Sequence, residues 1–432
     1  MTTEECVAEP EGDITRHAVA RGGATEQAAK TTFRDVFAVA EFRALWTAQL
    51  LSLIGDQLAR VALTVLVYDR THSALLAAIT YVASVVPNFI GGVTLAWLAD
   101  RYPRRAVMVA CDVIRAALVM VMAVPGVPVA VLVALLFLVT LAGAPFQSAR
   151  AAIYPDVLTG DRYVTGTALS LTTYQFAQVI GFALGGAVVG FFGTRPSLLG
   201  DAATFVASAF IVRAWVRARP APAVLSGDRE RSRLAGVIAG TRLVFATPAL
   251  LAPMLFGWLA AFYNAPEGVV TPLARALGGG AVVVGAILAA QALGQTVGAL
   301  VFSRLVAPTV RLGFMGPLAV ASCAVLVLFA WRPGLVVSLL ILGASGLFAA
   351  YQMAANAAFV TAAPQEQRSQ AFGLAQGGMS LGQGTVMILA GAAAQHHTPA
   401  RVIAVCGAVG AMLALAIALG PARDRGRLVS GR

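Results

Sequence analysis

Asp56 and Arg60 stand four residues apart in "SLIGDQLARVAL", within a stretch that is otherwise long and apolar. On a helix that spacing puts a carboxylate and a guanidinium on one face, within reach of each other. Ionisable groups in so apolar a setting are costly to bury and mark ion or substrate paths. The pair suits a proton or cation-substrate site, with Asp56 titrating and Arg60 tuning it, or a permanent structural ion pair. Glu267, beside "FYNAP", is either a second titrating group or an interfacial acid. Asp112 and Arg115 in "CDVIRA" lie nearer a span end, where a structural brace is expected. Asp201 stands where an apolar run opens, and a helix N-terminus favours an acid there.

A denser knot of charge, "LADRYPRRAV" at residues 98–107, holds Asp100, Arg101, Arg104 and Arg105 around Pro103. Each such charge at the centre of a membrane helix costs about 2.5–3.5 kcal/mol, and proline stops one helix from running through. The knot reads as a turn at the membrane surface between two spans.

Uncharged polar and aromatic residues recur inside the apolar runs: Tyr174, Gln175, Gln178, Trp258, Tyr263, Gln291, Gln295, Tyr351, Gln352, Asn356 and Gln376. As a group they suit the lining of a cavity for a large amphipathic molecule. One by one they equally suit hydrogen-bonded glue between helices. Gly181, Gly185 and Gly186 in "GFALGG" form a small-residue seam for close helix packing. No metal or cofactor is expected, since the four cysteines, Cys6, Cys111, Cys323 and Cys406, lie far apart in sequence. An enzyme is not expected either: there is no acid-rich D-D-x-x-D cluster and no phosphate-binding P-loop.

The elements that must position these residues follow from composition. Of 432 residues, 59% are hydrophobic and 12% charged, and the mean hydropathy is +0.80. That is far more apolar than a soluble domain and points to a multi-pass membrane protein. Cutting at charges and Pro-Gly pairs gives twelve spans: 44–68, 74–98, 106–124, 128–148, 166–190, 197–216, 248–272, 279–303, 312–330, 334–359, 371–394 and 400–420. The net charge of +11 is spread over short loops, which argues for membrane orientation and against nucleic acid as a partner. Arginines crowd alternate loops, Arg101, Arg150, Arg162, Arg304 and Arg368 among them. The facing loops hold only Arg70, Arg195, Arg275, Arg332 and Arg401. Both termini are therefore expected in the cytoplasm.

Five segments result: a mostly disordered tail (1–42), a six-helix bundle (43–216), a Pro-rich charged linker (217–247), a second bundle (248–420) and a basic tail (421–432). The first forty residues have no apolar core of a signal peptide, and 33–42 reads as an amphipathic lead into the first span. The halves echo each other: Arg105 and Arg311, like Arg162 and Arg368, stand 206 residues apart. Such six-helix repeats build many secondary transporters.

"AWLADRYPRRAVM" resembles motif A of the major facilitator superfamily, G-x-L-A-D-R-x-G-R-R/K-x-x-L, with Ala96 and Pro103 in place of its glycines. "FRALWTAQLLSLIGDQLARVAL", "PFQSARAAIYPDVL" and "LLGDAATFVASA" resemble the drug:proton antiporter branch that includes macrolide and siderophore exporters. The run 181–186 is similar to its antiporter motif G-P-x-x-G-G, with Phe182 in place of proline, and the R-x-x-Q-G motif of other drug exporters is missing from the fourth span.

The resemblance implies an all-α fold of twelve transmembrane helices in two pseudo-symmetric six-helix bundles. It implies proton-driven efflux of an amphipathic small molecule by alternating access, in a monomer of the bacterial plasma membrane. Asp100 would be a gate-latch anion, with Arg101 and Arg105 as the cations and Asp156 an acid for them to meet, and Arg104 completes the motif. An importer, a facilitator, a lipid flippase or a non-transporting sensor would share the fold.

Overall fold

A computed structural model describes residues 32–220, 244–364 and 368–420. Most of the N-terminal tail (1–31, with Cys6), most of the linker (221–243) and the C-terminal tail (421–432) lie outside the described residues. The described chain is helical, with no strand among the described residues.

The described residues form twelve crossings. They are α2 (Ala40–Thr71), α3 with α4 (Ala74–Ala83, Val86–Thr94), α6 (Arg104–Met122), α7 (Val129–Val157), α8 (Asp161–Phe192) and α9 (Thr194–Trp215). The second six are α10 to α13 (Pro248–Trp258, Ala260–Tyr263, Ala265–Gly268, Val270–Ala276), α14 (Ala281–Leu305), α15 with a 3-10 turn (Arg311–Ala324, Val325–Trp331), α16 with α17 (Leu335–Phe348, Tyr351–Ala362), α18 (Arg368–Ala393) and α19 (Pro399–Leu419). Ten crossings are long and apolar enough to span a membrane by composition alone. The other two are α6, which carries Arg104, Arg105, Asp112 and Arg115, and α18, diluted by Gln370, Gln376, Gln383 and its glycines.

Three features depart from the expected spans. Ordered structure begins before residue 43: α1 (Phe33–Phe37) starts where Asp35 Oδ2 accepts from the backbone N and the hydroxyl of Thr32, both at 2.8 Å. These bonds hold the Asp35 carboxyl below its ordinary pKa. Val36 and Phe42 are buried and Phe37 sits edge-on to Trp46 at 5.2 Å, which fixes this lead to the bundle. Second, α7 continues to Val157 with Pro145 and Pro155 inside it. Third, the second and seventh crossings are broken. Pro87 opens α4 after the interruption at Ser84, and Pro253, Pro266 and Pro272 lie along α10 to α13. Proline removes an N–H and clashes with the preceding turn, and neighbouring helices in a membrane bundle re-satisfy the freed groups.

Contacts joining the halves gather at the ends opposite motif A. Arg275 pairs with Asp69 at 2.5 Å, and Gln395 Nε2 donates to Ser73 Oγ at 2.7 Å. Just below, α8 meets α14 backbone to backbone: a Cβ on Gly186 would lie 2.7 Å from the Gly285 Cα. Gly185 packs on the α2 backbone and Gly181 on the Gln57 side chain, while α8 runs unbroken through Phe182.

Candidate functional site

Between the halves lies a cavity of about 280 Å³. Its wall carries Asp56, Arg60, Tyr81, Arg115, Gln147, Arg150, Tyr174, Gln178, Asn264, Glu267, Gln295 and Gln383, among apolar residues such as Leu53, Val139, Phe146 and Phe182.

Asp56 and Arg60 do not pair. Asp56 Oδ1 accepts from Arg115 Nη2 at 2.5 Å, and Arg115 Nη1 donates to Ser52 Oγ at 2.9 Å. The Arg115 guanidinium stacks 4.0 Å from the Phe205 ring centre, with Asp112 Oδ1 at 3.8 Å. Ser208 donates to Asp112 Oδ2 at 2.6 Å. Arg115 and Asp112 are thus the inner part of the Asp56 site, rather than a brace at a helix end. Arg60 turns the other way. Its Nη2 donates to the Ser84 carbonyl at 3.1 Å, at the break in the second crossing, and its guanidinium lies 5.6 Å from the Tyr81 ring and 5.8 Å from that of Phe182. Glu267, from short α12, lies beside Tyr81 and Arg60.

Asp201 is not a helix cap. It lies two turns inside α9, fully buried, where Thr204 Oγ1 approaches its Oδ1 at 3.5 Å and Oδ2 has no hydrogen-bond partner. Gly55 makes room for it, since a Cβ there would lie 2.2 Å from Asp201 Oδ1.

Of the polar and aromatic candidates, Tyr174, Gln178 and Gln295 reach the cavity. Several others instead tie the broken seventh crossing to its neighbours. Trp258 Nε1 donates to the Ala375 carbonyl at 2.9 Å, Gln291 Nε2 to Asn264 Oδ1 at 2.8 Å, Tyr351 Oη to the Phe256 carbonyl at 3.1 Å and Gln352 Nε2 to the Gly257 carbonyl at 3.1 Å. Tyr263 is buried edge-on to Tyr351 at 6.3 Å. At the break in this crossing the Phe256 and Gly257 carbonyls take Tyr351 and Gln352, and Trp258 and Gln291 add bonds to its neighbours. Gln175, Asn356 and Gln376 stand outside the cavity wall, Asn356 and Gln376 on exposed positions. Sequence reasoning missed Tyr81, Gln147 and Arg150 as wall residues. The i, i+3 spacing of Gln147 and Arg150 was the available signal.

At the motif A end, short α5 (Leu98–Arg101) and the Tyr102–Pro103 link precede α6. Arg104, rather than Arg101 or Arg105, meets Asp156, at 2.9 Å, and also bonds the Ala152 carbonyl at 2.8 Å. Arg105 donates to the Arg213 carbonyl. Asp100 and Arg101 are exposed and have no ion-pair partner among the described residues. Nearby, Arg219 grips Glu41 at 2.5 and 3.0 Å, and this bond raises the Arg219 pKa.

The sequence profile of the Major Facilitator Superfamily matches residues 45–267. The chain belongs to this superfamily. No curated protein matches the sequence. Among solved structures, the facilitator is similar to a POT family transporter in complex with 5-aminolevulinic acid (TM-score 0.70, 12% identity, covering 88% of this chain and 95% of that one). It is also similar to the nucleoside transporter NupG (0.67, 16%, 87% and 98%) and to a bacterial homolog of the human lysosomal transporter Spinster, inward-facing and unoccupied (0.62, 15%, 90% and 95%). At these identities the likeness shows the fold. The facilitator is a multi-pass membrane transporter of the secondary type, not an enzyme.

Proposed function

We propose that this facilitator exports an amphipathic small molecule in exchange for protons, in line with its resemblance to drug, macrolide and siderophore exporters. The observation that carries the reading is Asp56 on the cavity wall, ion-paired at 2.5 Å to the buried Arg115. With Asp56 ionised, the pair holds. A proton on Asp56 removes its charge, and Arg115 then turns to Asp112, already 3.8 Å away. A carboxyl whose partner can change sides is a two-state element that a proton gradient biases. Glu267 and Arg60, both beside Tyr81, are the other charged groups of the wall.

In this reading both termini lie in the cytoplasm of a plasma-membrane protein. The halves 43–216 and 248–420, joined by 217–247, rock about the cavity. The contacts Asp69–Arg275 and Ser73–Gln395 then shut the outer gate. Asp100, without an ion-pair partner among the described residues, is the latch unfastened on the inner side.

The test is efflux of labelled amphipathic compounds from expressing cells, with and without a protonophore, alongside Asp56→Asn. Export that stops with the protonophore and is lost in the variant is expected. Export surviving both treatments removes proton coupling and leaves Asp56 a structural role. Accumulation instead of export selects the importer reading.

A further inference from the structure

Three arginines and two acids reach the wall of the cavity. Arg115 has Asp56 at 2.5 Å and Asp112 at 3.8 Å. Arg60 has the Ser84 carbonyl and lies beside Glu267. Arg150 has no acid. No carboxylate lies within ion-pair distance of it among the described residues. Its Nη2 donates to Gln147 Oε1 at 2.9 Å, its guanidinium carbon lies 5.7 Å from the centre of the Tyr154 ring, and Nε and Nη1 are buried without a hydrogen-bond partner. Its place in the loop arginines of the sequence does not account for it, because α7 carries it two turns inside its end, at Val157.

A guanidinium stays charged in proteins. Inside a membrane bundle an unpaired charge is expensive, and such groups find a counter-ion or serve a substrate path. The compensating anion is absent from the described residues that surround Arg150, while Arg150 itself lines the cavity. We propose that Arg150 docks an anionic group, a carboxylate, sulfonate or phosphate, on the transported amphipath. An anionic oxygen that replaces Gln147 Oε1 as the acceptor of Nη2 exchanges a neutral carbonyl for a full charge, and charge-assisted bonds of this kind are the stronger ones. The freed Gln147 amide, one turn away on the same face, can then donate to the same anion. The apolar wall formed by Leu53, Val139, Phe146 and Phe182 takes the rest of the molecule. This inference rests on the reading of the cavity as the transport path, and it selects anionic over cationic cargo.

The test compares two xanthene dyes of similar size and opposite charge, carboxyfluorescein and a cationic rhodamine ester. Binding is read by fluorescence anisotropy on the full chain in phosphatidylcholine nanodiscs, where no anionic lipid competes. The anion is expected to bind tighter than the cation. Arg150→Gln is expected to weaken the anion at least about tenfold and to leave the cation unchanged or tighter, while Arg150→Lys retains most of the anion affinity. A wild-type preference for the cation, or an Arg150→Gln protein that unfolds at the wild-type temperature and still binds carboxyfluorescein as wild type does, overturns the proposal. The dye comparison on wild type stands even where Arg150→Gln fails to fold. A parallel efflux assay in proteoliposomes under a proton gradient separates the two readings. Arg150-dependent binding without export sinks the exporter and keeps the anion site; export of the cation without binding of the anion does the reverse.

Discussion

At the scale of single residues, the cation that meets Asp56 comes from another helix. Arg60, four residues along the same helix, was the partner its spacing suggested, but Ser84 O at the break in the second crossing takes it instead. Arg115 neutralises Asp56 and stands by Asp112, so its removal leaves the buried Asp112 and the half-buried Asp56 without a counter-charge. Arg115→Leu is expected to cost about 3–5 kcal/mol, read as a lower unfolding midpoint, with Asp112→Asn added to it recovering part of the loss. An unchanged midpoint would show that the network contributes nothing to stability. The identity of the charged residues was legible in the sequence, since ionisable groups in apolar runs announce themselves. Their partners were not, because pairing depends on which helices touch: Asp112 finds Ser208, and Asp201 finds the space over Gly55.

Among the elements, apolar runs cut at charges and Pro-Gly pairs located the twelve crossings, two of which apolar length alone would miss, and the charged turn at 98–107 links the second to the third, its last residues opening α6, as its cost in hydrocarbon requires. The breaks were less legible. Proline in a soluble helix would mark an end, whereas here Pro145 and Pro155 sit inside α7 while Pro87 follows a break. Polar residues on the tenth crossing were hard to assign for the same reason, since the Gly257 and Phe256 carbonyls of α10 take Gln352 and Tyr351, while Trp258 of α10 reaches out to the Ala375 carbonyl of the eleventh. Close helix pairs rest on glycine. A Cβ on Gly294 of α14 would lie 2.0 Å from the Gly343 carbonyl oxygen of α16. Gly294→Val is expected to wedge the pair apart and lower stability by about 1–3 kcal/mol or more, seen as a reduced melting temperature and yield. A variant that melts with the wild type would refute the tight fit.

For the whole molecule, the halves meet through Asp69–Arg275 and Ser73–Gln395 at one end. The ion pair is exposed and adds roughly 0–1 kcal/mol, a size suited to a contact that must open. Joining the two ends covalently should therefore stop transport without unfolding the protein. In a chain with its four native cysteines replaced, Asp69→Cys with Arg275→Cys is expected to lose transport on oxidation and regain it with reductant; transport that continues through a complete cross-link would show that these ends never part. The contact of Gly186 with Gly285 lies close to the same end, and α8 extends from it to Asp161, roughly 37 Å away at the rise of an α-helix. If the halves rock as proposed, that geometry makes the glycine pair a fulcrum and α8 a lever arm. A turn of about 15°, the size known for packed two-state assemblies, sweeps the Asp161 end through roughly 10 Å. On the proposed rocking, a small roll of backbone on backbone would thus open a doorway at the far end.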